Sequence, residues 1–199
     1  LDVPQLITGL QRGDPGAFRY LVETYQSRVY NTVLAIVRNP DEAEDVAQEV
    51  FVQVFESIQS FGGDGKLTAW IYRIATTKAL EAYRKRHARK RWAFFTSLFT
   101  ADDEAGFDER LHPVDFAHPG VKLEQQERAA VLFGAIDRLP ENQKVAFTLH
   151  HIEGLSYQEI TDVMQLGGTP LSLSAVESLL HRAKVNLRKR LTNYYRQDN

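Results

Sequence analysis

GLSYQEITDVMQLGGTPLSLSAVESLLHRAKVNLR, residues 154–188, holds two helix-start signals and two apolar stripes in one turn-punctuated run. Gly154 suits the end of a preceding helix. Ser156-Tyr157-Gln158-Glu159 has the spacing of a capping box, in which the serine and glutamate each satisfy the other's backbone N–H. Ser174-Ala175-Val176-Glu177 repeats that spacing, so helices are expected over 157–165 and 175–195. Val176, Leu179, Leu180, Ala183 and Leu187 recur at threes and fours and give the second helix one apolar face. A short helix, a turn and a longer helix with basic exposed positions is the helix-turn-helix arrangement. With the stripe turned inward, Glu177, Ser178, His181 and Arg182 point outward from the half of the helix that enters a major groove. Arg182 suits a bidentate contact to guanine, and Ser178 is less selective. Lys184, Arg188, Lys189 and Arg190 suit phosphates, which add affinity without sequence information. Two packed helices with a solvated basic face would account for the same residues without any ligand.

Upstream, helical patterning begins near Glu124 with Ala130, Leu132, Phe133 and Ile136, breaks at Leu139-Pro140, and resumes with Val145, Phe147, Leu149 and Ile152. Residues 93–123 lose periodicity and mix glycine, proline and aromatics with Asp102, Asp103, Glu104, Asp108, Glu109 and Asp115. So long a stretch without an element does not belong inside a compact domain, and an acidic interdomain linker is expected. From Leu1 to Trp92 the chain again reads as helices. Asp14-Pro15 and Asn39-Pro40 are caps followed by a first-turn proline. Ala47, Phe51, Val54, Phe55 and Ile58 share a face, and Thr68 is expected to cap a long helix through Trp70, Ile71, Ile74 and Ala75. No strand pattern appears. The expected fold is all-α, as two small helical domains over 1–92 and 124–199, joined by 93–123.

The formal net charge of −2 hides a segregated distribution. Between Arg73 and Arg91 stand Lys78, Arg84, Lys85, Arg86, Arg89 and Lys90, with Trp70, Tyr72 and Tyr83 interleaved or adjacent. Cations bind phosphates and aromatics stack on unpaired bases, although a solvated helix end with core aromatics has the same composition. Asp41, Glu42, Glu44, Asp45 and Glu49 crowd the start of another helix, where the dipole favours carboxylates and where a basic partner could dock. Asp45 and Glu49 lie one turn apart with no histidine at metal spacing. His150 and His151 are adjacent and so diverge, and His112 and His118 stand alone in the linker. No nucleophile–base pair, glycine-rich phosphate loop or cysteine is present, so no catalytic residue, metal or cofactor is expected. There is no bilayer-length apolar run and no secretory-type leader, and the expectation is a cytoplasmic protein without membrane insertion.

Taken together, these segments resemble the bacterial RNA polymerase sigma factors of the extracytoplasmic-function group, in the right order over nearly the whole chain. Gly13-Asp14-x-x-Ala17-Phe18-x-x-Leu21-Val22-x-x-Tyr25 resembles the family's opening, and Glu42-Ala43-Glu44-Asp45-Val46-Ala47-Gln48-Glu49-Val50-Phe51 its polymerase-docking helix. Phe61-x-Gly63-Asp64 with Trp70-Ile71-Tyr72-Arg73-Ile74-Ala75 resembles its −10 reader. Leu139-Pro140-x-x-Gln143, Glu153-Gly154-Leu155-Ser156-Tyr157-x-Glu159-Ile160 and Val176-x-Ser178-x-x-x-Arg182-Ala183 resemble its −35 reader. The resemblance implies a transcription initiation factor without catalytic chemistry. Asp41, Glu44, Asp45, Gln48 and Glu49 would dock on the β′ clamp helices of core RNA polymerase, and the second domain would rest on the β flap. Phe61, Asp64, Lys66, Trp70, Arg73, Thr77, Arg84, Lys85 and Arg86 would bind the melting −10 promoter DNA, with a flipped base held by the loop 61–66. Ser174, Glu177, Ser178, His181, Arg182, Lys184 and Arg188 would bind the −35 element. An anti-sigma factor is the further partner such a protein usually has.

Two departures from the family pattern stand out. Thr77 occupies a position where asparagine is usual. Leu166 to Ser172 adds about five residues between the helices of the DNA-binding pair, and these are expected to bulge out and leave the pair intact. The alternatives are a helix-turn-helix repressor acting without polymerase, which leaves the acidic and the basic-aromatic helices unexplained, and a metal-dependent nucleic-acid enzyme built on the acidic cluster.

Overall fold

A computed structural model of the chain describes residues 2–62, 66–99, 131–166 and 169–197. Helices α1 (Val3–Gln11) and α2 (Pro15–Val37) both carry proline in the first turn, where a missing N–H costs nothing. Asp14 caps α2 by accepting from the Gly16 N–H at 2.9 Å. Asn39 caps α3 (Pro40–Ser57) by accepting from the Glu42 N–H at 2.8 Å. A 3-10 turn, Ile58–Ser60, leads toward α4 (Leu67–Phe99). The second bundle comprises α5 (residues 131–137), α6 (Glu141–His151), α7 (Tyr157–Val163) and α8 (Leu173–Gln197).

Helices α2, α3 and α4 pack on one another pairwise, with Leu21, Val29, Val33, Ile36, Val50, Val54, Ile71 and Ala75 at the centre. Leu149, Ile160, Val176 and Leu180 fill the second bundle. The apolar cluster does not stop at the bundle boundary. It runs continuously from Leu6 to Leu180, through contacts of α2 with α6 and of α4 with α7. A smaller cluster of Ala135, Ile136, Leu139, Ala183 and Leu187 ties α5 to α8. Among the described residues, no helix is long and apolar enough to cross a membrane.

The all-α, two-domain architecture stands, with local corrections. Helix α8 starts two residues earlier than the Ser174 capping box implies, because Ser172 Oγ accepts from the Ala175 N–H at 3.2 Å and Ser174 falls inside the first turn. Thr68 is no cap either. It lies within α4, and its hydroxyl pairs with the Tyr25 hydroxyl at 2.7 Å. Phe55 is 56% exposed rather than buried with its neighbours, since it meets Phe18 only edge-on at the rim, 5.3 Å between ring centres. Helix α4 continues past Trp92 to Phe99, and residues 100–130, the greater part of the expected linker, lie outside the described residues. The residues between α7 and α8 form a small antiparallel ladder, Gln165 opposite Pro170 and Leu166 opposite Thr169, which no alternation in the sequence announces.

The Ser156–Glu159 capping box is present, with Glu159 N–H to Ser156 Oγ at 3.3 Å and Ser156 N–H to Glu159 Oε2 at 2.9 Å. The Ser156 hydroxyl, donating to Glu159 Oε2 at 2.7 Å, and then the Ser156 N–H hold the Glu159 carboxyl below its ordinary 4.5. The cap therefore contributes fully above that value and is lost as the pH falls through the lower folded one. In urea unfolding, Leu180→Ala should cost about 2–5 kcal/mol through the cavity it leaves. Ser172→Ala should cost about 1 kcal/mol as a lost cap, with Ser174→Ala costing clearly less.

Candidate nucleic-acid and partner interfaces

Helix α8 is amphipathic in the sense the sequence implies. Val176, Leu180 and Ala183 are buried, while Glu177, Ser178, His181, Arg182, Lys184 and Arg188 are exposed. Ser174 is exposed as well, on the first turn beside Ser172. Arg182 is held loosely by its own helix, Nε donating to the Ser178 carbonyl at 3.3 Å. Gly154, at φ +71, sits where a side chain would be strained and turns the chain from α6 toward α7. The ladder at 165–170 is sealed at its neck by Leu171 N–H donating to the Met164 carbonyl at 3.1 Å, and α7 and α8 still pack together.

Helix α3 buries Ala43, Val46, Ala47 and Val50 and turns Asp41, Glu44, Asp45, Gln48 and Glu49 outward. A shallow groove beside them is lined by Gln26, Tyr30, Glu44, Gln48 and Phe51 of α2 and α3. Two ion pairs link this helix to α4: Glu49 with Lys78 at 3.8 Å and Glu42 with Arg86 at 2.6 Å. Arg86 is thereby engaged inside the first bundle, whereas Lys85 and Thr77 are exposed.

Several of the remaining residues around α4 meet the second bundle, while others stay within the first. Phe61 is buried against Trp70, ring centres 5.1 Å apart, and Tyr72 is fully buried. Tyr72 donates its hydroxyl to Glu153 Oε2 at 2.6 Å; burial first, and this acceptor second, push its pKa well above the ordinary tyrosine value. Glu153 also receives Arg28 at 3.3 Å, and its side chain is only 4% exposed. Lys66 lies 3.5 Å from Asp162, and Arg73 donates to the carbonyls of Asp162 and Val163. Arg84 grips Glu141 through two nitrogens and holds that carboxyl below its ordinary value. Tyr83 reaches the Asp137 carbonyl at 3.4 Å, with its pKa pushed up to about 12 by burial and by Asp137. Lys144 of α6 is wholly buried, 2.9 Å from Asp137 and 3.7 Å above the Tyr83 ring; burial lowers its pKa against the pull of Asp137. Asp64 lies outside the described residues.

The structure thus keeps the α8 and α3 faces separate and open, and brings Lys66 and Arg84 against acids, and Arg73 against backbone carbonyls, of the other bundle. No periodic signal marks Arg28, Asp137, Glu141, Lys144 or Asp162. Lys144 follows Glu141, Asn142 and Gln143 and reads in the sequence as an ordinary polar first turn. Among the described residues, no cluster of three or more histidines and acids is arranged to hold a metal.

Residues 21–89 match the sequence family described as Sigma-70 region 2, and residues 129–187 match Sigma-70, region 4. The RNA polymerase sigma-H factor of Pseudomonas aeruginosa is 33% identical over 193 residues, covering 97% of this chain and 95% of that protein. The ECF RNA polymerase sigma-E factor of Haemophilus influenzae is 32% identical, covering 90% of this chain and 89% of the relative. In three dimensions the fold resembles CnrH, solved in complex with the cytosolic domain of CnrY, with a TM-score of 0.66, 22% identity, and 94% and 96% of the two chains covered. It also resembles the sigma factor RpoE, solved with the anti-sigma factor NepR from Bartonella quintana, with a TM-score of 0.61, 19% identity, and 88% and 96% covered.

Removing Asp137 strands a buried ammonium, so Asp137→Ala should cost about 3–5 kcal/mol in denaturant unfolding. Lys144→Met fills the same space without a charge and should cost much less, or stabilise.

Proposed function

This chain belongs to the extracytoplasmic-function group of RNA polymerase sigma factors, and from that premise we propose that it directs core polymerase to promoters by reading a −35 and a −10 element and assisting melting. The observation that carries this reading is coverage: both helical bundles, in order, align with sigma factors along nearly the full chain. Asp41, Glu44, Asp45, Gln48 and Glu49 dock on the β′ clamp helices, where an exposed acidic helix meets a basic surface. Glu177, Ser178, His181 and Arg182 read the −35 duplex from the major groove, flanked by Ser174, Lys184 and Arg188 on phosphates, while the second bundle rests on the β flap. Phe61, Asp64, Lys66, Trp70, Arg73, Thr77, Arg84, Lys85 and Arg86 engage the opened −10 strand, where base stacking and phosphate contact work together. The domains divide as 1–92 and 124–199 about an acidic linker, and the protein works in the cytoplasm without chemistry of its own.

An anti-sigma factor completes the partner set. The sigma factor RpoE was solved with the anti-sigma factor NepR, and CnrH with the cytosolic domain of CnrY, which supports carrying such a partner over. A repressor acting without polymerase is not favoured, because it gives no role to residues 21–89, which match Sigma-70 region 2.

Reconstitution with core polymerase and a randomised promoter library tests the reading: transcription from a defined pair of elements is expected, and failure to form a holoenzyme would overturn it. In promoter-binding titrations of the holoenzyme, Arg182→Ala should cost on the order of 1–3 kcal/mol and relax one −35 position. Lys85→Ala should weaken all promoters alike and reduce the slope of log K against log salt by about 1. Asp45→Arg should abolish core binding with unchanged helical content by circular dichroism.

A further inference from the structure

Helix α8 carries one acid, Glu177, among His181, Arg182, Lys184, Arg188, Lys189 and Arg190. The fold gives that acid no task. Glu177 is exposed and makes no hydrogen bond or ion pair with any described residue. It does not cap the helix, since Ser172 does so. It also stands beyond the first turn, where the pull of the helix dipole on a carboxylate has faded. Val176 and Leu180 turn into the core, while Glu177 is exposed together with Ser174, Ser178 and His181. Glu177 thus faces outward from the end of α8 assigned above to the major groove.

A carboxylate in that place is repelled by every phosphate, and the cations around it would bind the duplex backbone better in its absence. Inside the groove it needs a hydrogen-bond donor. Base edges offer two there, the amino groups of cytosine N4 and adenine N6. Guanine presents two acceptors, and thymine an acceptor and a methyl group, so both refuse a carboxylate. Adenine sets its N7 acceptor beside the amino group, where it repels the second carboxylate oxygen. Cytosine presents the donor and no acceptor of its own. We propose that Glu177 is a specificity-determining residue: its carboxylate accepts a hydrogen bond from a cytosine N4 amino group, so the −35 element of this protein requires a C·G pair at one position, besides the guanine read by Arg182. The inference rests on α8 reading the −35 duplex and adds the identity of one base. The same carboxylate works by rejection as well, because each other base leaves a buried charge facing an acceptor or lacking a donor. Affinity given up to phosphate repulsion is thereby turned into choice.

The test presents holoenzyme, reconstituted with core polymerase, with promoter duplexes randomised over the −35 region, and counts the sequences bound. The parent should select cytosine over each other base at one −35 position, by roughly tenfold to a hundredfold. Glu177→Gln should move the preference at that same position to adenine, whose N6 and N7 suit an amide. Glu177→Ala should flatten that position alone and tighten binding to duplexes without cytosine there, since a charge facing phosphates is gone. The helical signal of both variants should match the parent, as expected for an exposed side chain. Unchanged base preferences in Glu177→Gln, or an equal gain on every sequence in Glu177→Ala, would overturn the inference and leave −35 reading by the rest of α8 standing. A parent that selects other −35 bases but no cytosine decides against it without any variant. A parent holoenzyme that binds promoters yet chooses no −35 base would instead remove α8 as the duplex reader, and the role of Glu177 with it.

Discussion

Glu153 is the carboxylate about which the molecule closes. It lies just beyond α6, where the N–H groups of Ile152 and Glu153 both return to the Thr148 carbonyl and Gly154 takes a left-handed conformation. That turn delivers a nearly buried acid to two helices of the other bundle at once, through Arg28 on α2 and the Tyr72 hydroxyl on α4. A buried carboxylate without such partners is costly, so the position of the turn and the position of the first bundle specify each other. Tyr72 can be a fully buried core residue only because its polar end has this acceptor. The continuous apolar cluster beneath then follows from the placement of α7 on α4.

What the sequence discloses and what it conceals divide along the range of the interactions. Caps, apolar stripes and helix faces are set by residues three or four apart, and the Asn39 and Ser156 caps and the outward set on α8 are legible for that reason. The errors are short-range competitions. Two serines compete to cap α8, and the earlier one wins because Ala175 presents its N–H to Ser172. Thr68 is drawn from capping by the Tyr25 hydroxyl. The seam between the bundles is illegible because its partners stand 57 and 125 positions apart and share no period. The basic and aromatic composition of α4 points toward nucleic acid, and the resemblance to a known family sharpens that reading, but neither gives a hint that acids of the same chain would lie against it.

A net charge near zero here is the sum of opposed surfaces. The acids of α3 face out on one side, the basic residues of α8 on another, and the cations of α4 divide: Lys78 and Arg86 pair with acids of α3, Arg84 reaches Glu141, and Lys85 stays exposed. Helices α3 and α4 are also tied to each other, through Glu42–Arg86 and Glu49–Lys78. An approaching basic partner therefore meets acids that already have a claim on them from α4. Helices α3 and α4 share one packed body, and the second bundle attaches to that body by a face that is polar at its edge and apolar beneath.

The ladder between α7 and α8 has a wider meaning for how such a helix pair can vary. Its neck is fastened by Leu171 to Met164, and α8 is capped afresh from Ser172, so the aim of α8 is fixed before and after the detour. Chain length at the tip is thereby uncoupled from that aim. Residues added to the detour would therefore leave the packing of α8 on α7 where it is.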